Sequence, residues 1–435
     1  MPSRALRLLR PLLSLLAATA ALPAAAQSNY QPSPVAPRAM GMGGAGCGIV
    51  DGAAGMFYTP GSLAFGERGE LSVSGNLYGL IGGRIGQGFG PGSSETYLTI
   101  AAVPTNVSGE RHGFRLGKLS VSDRWGFGIS VLSPINFKVA ALASSKDQSA
   151  LLVRTTSEFV YTIYVGMAYR VRPNLGVGMA IVTAYRQFQS SFDATVDRSS
   201  QYLQASQSLT AYTVSGALSF GVRAMPLPGL DLGVGLHLPL IPLFGFGDAR
   251  ERGVVITPFA DGVGEYQRFG RKRDLEARYA LPTRISFGAS YRIAGRYVVA
   301  LDLHVWTPHQ YNAVLDKQTK EILNRVDLDW TVNLNLGFET KIRNRWPLRL
   351  GFFSDRSPVR RVFAGELASA RQDLYGATIS GGFRGTISEN EVGLLASGGP
   401  TLSGAVDLAS GTLQETRARG SQWRVFVTYS TQLHY

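Results

Sequence analysis

Gly41, Gly43 and Gly46 satisfy Gly-x-Gly-x-x-Gly, the spacing with which a strand-to-helix turn cradles a dinucleotide pyrophosphate. That chemistry requires a strand before the glycines and a βαβ unit after them, and the flanking sequence supplies neither. The five histidines, His112, His237, His304, His309 and His434, give no clear partner set for a serine or threonine nucleophile. His304 and His309 are too irregularly placed around Pro308 to make a convincing metal pair. The single cysteine, Cys47, rules out a disulfide scaffold and any cysteine-based zinc site. No enzymatic activity, metal or cofactor is therefore expected. What remains is recognition: Arg284, Arg292 and Arg349 stand in alternating apolar stretches, where a guanidinium can hold a carboxylate by charge-assisted hydrogen bonds. Asp302, Asp327, Asp329 and Asp355 are available to neutralise them instead.

The elements that must position these arginines have a period of two. From Asp327 to Glu339, Leu328, Trp330, Val332, Leu334, Leu336 and Phe338 fall on one face, and Asp327, Asp329, Asn333, Asn335 and Glu339 on the other. Only a strand separates them so cleanly. The alternation recurs at Phe159 to Tyr169, Val177 to Ile181, Leu230 to Leu236, Ile285 to Tyr291, Tyr297 to Val305 and Leu348 to Phe352. The opposite faces carry Arg170, Asp231, His237, Arg284, Arg292, Asp302, His304, Arg349 and Asp355. Phe353 and Phe426 share that parity and are candidates for lining an apolar path. A soluble sandwich of one domain rarely exceeds about 250 residues, yet these strands run to the end of 435. A transmembrane barrel fits instead, with apolar side chains toward lipid and polar ones toward the lumen. Tyr161, Tyr169, Tyr291, Tyr297, Trp306 and Trp330 suit its aromatic girdles.

Composition agrees. Only 17% of residues are charged, against about 25% in soluble domains, and glycine numbers 52. Mean hydropathy is near zero, at +0.04, as expected when a greasy exterior and a polar interior are averaged. After the first residues no stretch of about 18 apolar residues appears, so helical membrane spans are not expected. Arg4, Arg7 and Arg10, the apolar stretch Leu12 to Leu22, and Ala24-Ala25-Ala26 read as a signal peptide over residues 1–26, cleaved before Gln27. Its removal lowers the net charge from +13 to +10, a balance that points to a membrane surface and not to nucleic acid.

Short turns are expected at Ser122 to Arg124, Val171 to Asn174, Pro226 to Gly229, Ala294 to Arg296, Arg343 to Trp346 and Thr386 to Asn390. Long connections fall between them, among them Ser133 to Ser157 and Pro239 to Pro282. Six short turns and seven long loops join about 14 antiparallel strands over residues 70–435, with both termini in the periplasm. The last segment, Trp423, Val425, Val427, Tyr429, Thr431, Leu433, Tyr435, alternates and ends on an aromatic residue, like the signal read by the barrel-assembly machinery.

Residues 27–69 lack a strand pattern but hold small and apolar residues, including Met40, Met42, Met56, Phe57, Tyr58 and Leu63, and are expected to plug the lumen. Here the sequence resembles the FadL family of outer-membrane transporters for long-chain fatty acids and other hydrophobic compounds. The resemblance rests on Arg38-Ala-Met40-Gly41-Met42-Gly43-Gly44-Ala, on Asp51 to Gly61, on Phe114 to Val131, on Leu281 to Gly288 and on Leu348 to Pro358. It implies a 14-stranded barrel with an N-terminal hatch that includes Arg38, Met40, Gly41, Met42, Gly43, Gly44, Asp51, Thr59, Pro60 and Gly61. The family's usual Asn-Pro-Ala stands here as Thr59-Pro60-Gly61. It also implies exit of the ligand through the barrel wall after the hatch rearranges.

Leu240, Ile241, Leu243, Phe244 and Phe246 are apolar where an outer loop should be polar, and such a patch often marks a binding site. The expected function is capture and passive outer-membrane transport of a hydrophobic ligand, most simply a long-chain fatty acid, by a monomer in a Gram-negative bacterium. Arg271-Lys272-Arg273 and Arg360-Arg361 stand where lipopolysaccharide phosphates would meet outer loops. The competing functions are a general porin for small solutes, a barrel lipid-modifying enzyme and an adhesin.

Overall fold

The computed structural model describes residues 29–30, 34–50, 52–66, 69–86, 94–101, 105–116, 119–144, 150–198, 201–259, 262–343, 345–361, 370–407 and 414–434. The expected signal peptide and Asp51 lie outside the described residues. Those described form 20 strand segments in one antiparallel sheet, one short α-helix, α1 (Pro37–Gly41), and two 3-10 helices, Ala53–Phe57 and Pro60–Phe65.

Counted singly, the segments exceed the expected 14 because five strands are interrupted and a sixth is described only on either side of residues 102–104. Ser94–Ala101 continues in Thr105–Leu116, Leu230–His237 in Ile241–Phe259, and Gly262–Ala277 in Arg284–Ile293. Likewise Tyr297–Trp306 continues in His309–Leu315, Ile322–Leu328 in Thr331–Ile342, and Ala370–Gln372 in Leu374–Arg384. Gln201–Leu227, for example, pairs with both halves of one such strand, with Ile241–Phe259 through Tyr202 to Gly216 and with Leu230–His237 through Ser219 to Leu227. Grouped so, the wall has 14 spans. It closes where Gly69–Gly86 meets Gln414–His434, from Glu70↔His434 to Ile85↔Gly420. Pro239, Pro282 and Pro308 fall in three of the breaks, since proline has no N–H to give to a ladder.

The alternation faces as the sequence requires. Val332, Leu334, Leu336 and Phe338 are exposed on the outer face, while Thr331, Asn333, Asn335 and Glu339 are buried inward. Leu328 departs from it: the break at Asp329 and Trp330 shifts the parity, leaving Trp330 exposed and Leu328 in an interior cluster. Trp306, expected in a girdle, is in the same cluster, because its inward parity opposes that of Val305.

Several connections differ from expectation. Ser122 to Arg124 lies within the strand Leu119–Ser144. Most of the expected loop Pro239 to Pro282 is paired strand, Ile241–Phe259 against Gly262–Ala277. The ladder continues where the sequence no longer alternates, because backbone hydrogen bonding does not depend on side-chain type.

Inside the ring lies the N-terminal segment, residues 34–50 and 52–66. Ala39, Met40, Met42, Cys47, Met56, Tyr58 and Leu63 are buried, against wall strands and against one another. Inward side chains of the wall satisfy its backbone. The Thr378 hydroxyl donates to Gly41 O at 2.8 Å and accepts from Gly43 N at 2.9 Å. Arg170 Nε donates to Ala64 O at 2.7 Å, and Arg223 Nη1 to Val50 O at 3.1 Å. Glycine permits the closest approach: a Cβ on Gly351 would lie 2.0 Å from the Gly43 nitrogen.

Candidate ligand pocket

The 3-10 helix Ala53–Phe57 presents Phe57 to the barrel wall. Its ring meets Tyr164 edge-on at 6.3 Å. Tyr30 stacks on Trp306 at 5.0 Å and 16°. With Tyr279 these rings enclose a cavity of about 80 Å³, closed on its apolar side by Ile135, Val160 and Leu240. Tyr164 and Trp306 reach it because both occupy inward positions of their strands.

Arg284 and His237 also line this cavity. They are paired residues of adjacent strands, so their side chains share a face and a height. Arg284 donates to Phe57 O and to His237 Nε2, and since a guanidinium only donates, that imidazole nitrogen carries no proton. The guanidinium also lies over the Phe57 ring, 4.2 Å from its centroid. Arg284 is buried, its Nε has no hydrogen-bond partner, and among the described residues no acidic side chain forms an ion pair with it. Of the nearby aspartates, Asp302 accepts instead from Gly46 N and Cys47 N.

The other arginine candidates are placed differently. Arg349 is buried, but Glu339 at 2.8 Å, Glu389 at 2.6 Å and Glu391 saturate it. Arg292 is exposed beside the hairpin at Gly229, although it shares Arg284's parity, because it sits at the strand end. Phe353 and Phe426 are buried together with Ile81 and Leu395, in a cluster separate from the pocket.

The expected hatch residues lie within the ring. Arg38 bonds Glu339, Met40 and Met42 are buried, and Gly44 N donates to Ala39 O. Thr59 is buried and precedes Pro60, which opens the second 3-10 helix, and Gly61 packs on the carbonyls of Gly176 and Gly221. Of the expected capture residues, Leu240 lines the pocket, while Ile241, Leu243, Phe244 and Phe246 are exposed on a strand and not a loop. The pairing Val214↔Phe244 followed by Ser215↔Pro242 leaves Leu243 as an extra residue, and this bulge lets both Leu243 and Phe244 face outward. Arg271 and Lys272 of the basic run are paired with Asp248 and Glu321.

No family model and no curated protein matches the sequence. Solved structures do. A Pseudomonas aeruginosa FadL homologue superposes with a TM-score of 0.65 at 13% identity, covering 94% of this chain and 100% of the homologue. The toluene transporter TodX of P. putida matches with a TM-score of 0.61 at 13% identity, over 93% of this chain and 99% of TodX. The monoaromatic hydrocarbon channel CymD matches with a TM-score of 0.56 at 14% identity, over 92% and 98%. Wall and N-terminal segment together define an antiparallel barrel of the kind on which these three proteins are built. The chain has the FadL-family fold.

Proposed function

We propose that this chain is an outer-membrane transporter of hydrophobic compounds, with a long-chain fatty acid as its ligand. The observation that carries the reading is Arg284, a buried cation facing an aromatic cavity with no acidic partner among the described residues. A buried charge is costly until it is paired, so an entering carboxylate gains a charge-assisted contact while its apolar part takes the rings. Ile241, Leu243, Phe244 and Phe246 capture the ligand at the outer rim, and Leu240 leads inward to the cavity. Residues 27–69 act as the hatch, since the described part of this segment fills the lumen beside the cavity.

Exit through the wall after the hatch rearranges is the route that the resemblance to the FadL family implies. The signal peptide, assembly through the C-terminal strand, a Gram-negative outer membrane, lipopolysaccharide at the rim and a monomeric state complete the proposal.

A second ligand reading is a monoaromatic molecule, favoured by a cavity of only about 80 Å³ among five aromatic rings. Proteoliposome uptake of labelled oleate and labelled toluene, for wild type and Arg284→Gln, tests both. Oleate uptake that depends on Arg284 supports the fatty acid, and toluene uptake alone transfers the function to aromatics. Steady ion conductance with neither uptake makes the chain a porin.

A further inference from the structure

We infer that Cys47, Asp302 and His304 bind a soft divalent cation, zinc in type, that fastens the N-terminal segment to the barrel wall. One ligand atom from each lies within 4.8 Å of the others, and all three residues are fully buried. Cys47 comes from the N-terminal segment. Asp302 and His304 are two apart on the strand Tyr297–Trp306, so the pleat turns both inward.

Two atoms at this junction are left without hydrogen-bond partners. Asp302 Oδ2 accepts from Gly46 N at 2.7 Å and Cys47 N at 2.8 Å, which fixes the carboxylate against the turn that carries the thiol, but its Oδ1 accepts nothing. His304 Nδ1 is engaged by Ser286 Oγ at 2.8 Å, the kind of outer contact that orients a metal-binding imidazole. Its Nε2, 3.9 Å from Asp302 Oδ2, has no hydrogen-bond partner. What sets this place apart is that a carboxylate, an imidazole and a thiol converge on one space, the arrangement a cation satisfies. The wall comes close at Gly288, where a Cβ would lie 2.2 Å from Asp302 Oδ1 and 2.4 Å from Cys47 Cβ.

The donor set selects the cation. Thiolate and imidazole suit zinc and disfavour calcium or magnesium, which take oxygen ligands. Thiolate and carboxylate together match a charge of two, the thiol proton leaving to solvent on binding. Tetrahedral zinc holds such donors roughly 3.3 to 3.8 Å apart, so the side chains must close in by about 1 Å. Three protein ligands leave a fourth position, which water can take. Counting cysteines excludes such a site from the sequence. A mixed site whose thiol and carboxylate are 255 positions apart escapes that count.

The test is a cobalt titration of the full chain, purified in detergent, stripped with chelator and dialysed. The expected result is one equivalent of Co²⁺ bound, with sulfur-to-cobalt charge-transfer absorption that Zn²⁺ displaces. Cys47→Ser should abolish the band, and His304→Gln should weaken binding by at least about 10-fold. Because the chain has a single cysteine, the wild-type band reports Cys47 even where a variant does not fold. No band at stoichiometric Co²⁺, or unchanged affinity in folded His304→Gln, overturns the inference. Either result leaves the transport reading untouched.

Discussion

Arg38 of the N-terminal segment grips Glu339 of the barrel wall through two parallel hydrogen bonds, Nε to Oε2 and Nη2 to Oε1, both at 2.9 Å. Glu339 also accepts from Arg349 Nε at 2.8 Å, so one buried carboxylate joins a cation of the segment to a cation of the wall. Replacing Arg38 by alanine should cost about 2 kcal/mol, the scale of a hydrogen bond to a charged group. Glu339→Gln should cost more, about 3 kcal/mol, because it weakens the charge-assisted contacts to both Arg38 and Arg349, although Arg349 keeps Glu389 and Glu391. Thermal unfolding in detergent measures both. If the segment acts as a hatch, bilayer conductance should rise in the same order, and an unchanged conductance in folded Glu339→Gln counts against that role.

Gly351→Ala should loosen the segment by another route. Its new methyl would meet the Gly43 nitrogen at 2.0 Å, a backbone contact that cannot yield by rotating a side chain. Overpacking of this kind costs about 1 to 3 kcal/mol. Gly381→Ala is the control, since a Cβ there meets nothing within 4 Å. A lower melting temperature and greater accessibility of Cys47 to maleimide are expected for the first variant and not for the second.

Arg284→Gln separates the two ligand readings at the level of binding. Loss of one charge-assisted contact should weaken a fatty acid by roughly 10- to 100-fold, equivalent to about 1.5 to 3 kcal/mol. Toluene, having no charge to meet, should bind within a few-fold of wild type. Quenching of Trp306 fluorescence is a direct readout, because that ring lines the cavity. Equal losses for both ligands would mean that Arg284 shapes the cavity and does not read a carboxylate.

Much of the barrel was legible because a closed sheet turns successive side chains to opposite faces on every span. Val332, Leu334 and Leu336 face out and Asn333, Asn335 and Glu339 face in, as the sequence alone indicates. Parity tells which way a side chain points but not how high it stands, and the sites depend on height. Arg284, Arg292 and Arg349 share a parity. Register puts Arg284 opposite His237, Arg292 at a hairpin and Arg349 among three glutamates. Tyr164 could have been found by its inward parity. Tyr30 could not, because it precedes the strands and its partner Trp306 lies far along the chain. Cys47 and His304 meet for the same reason, through a fold-wide closure that no local spacing records.

The outer apolar strand offers the last test. Leu243 and Phe244 are each 62% exposed, so neither holds the core, and the bulge between them sets both side chains on the outside. Changing both to aspartate removes two apolar contacts and adds two charges. For a barrel, such a change costs least near the interface and most at the bilayer midplane. The pairing of this stretch with Tyr212 to Gly216, far from the short hairpin at Gly229, puts it toward the outer end. Assembly should therefore persist, seen as unchanged heat-modifiable migration of the folded barrel. Uptake at low ligand concentration should fall several-fold, while uptake at saturating ligand recovers, because capture and not passage is impaired. A double variant that folds and takes up ligand like wild type at every concentration would remove this strand from the route.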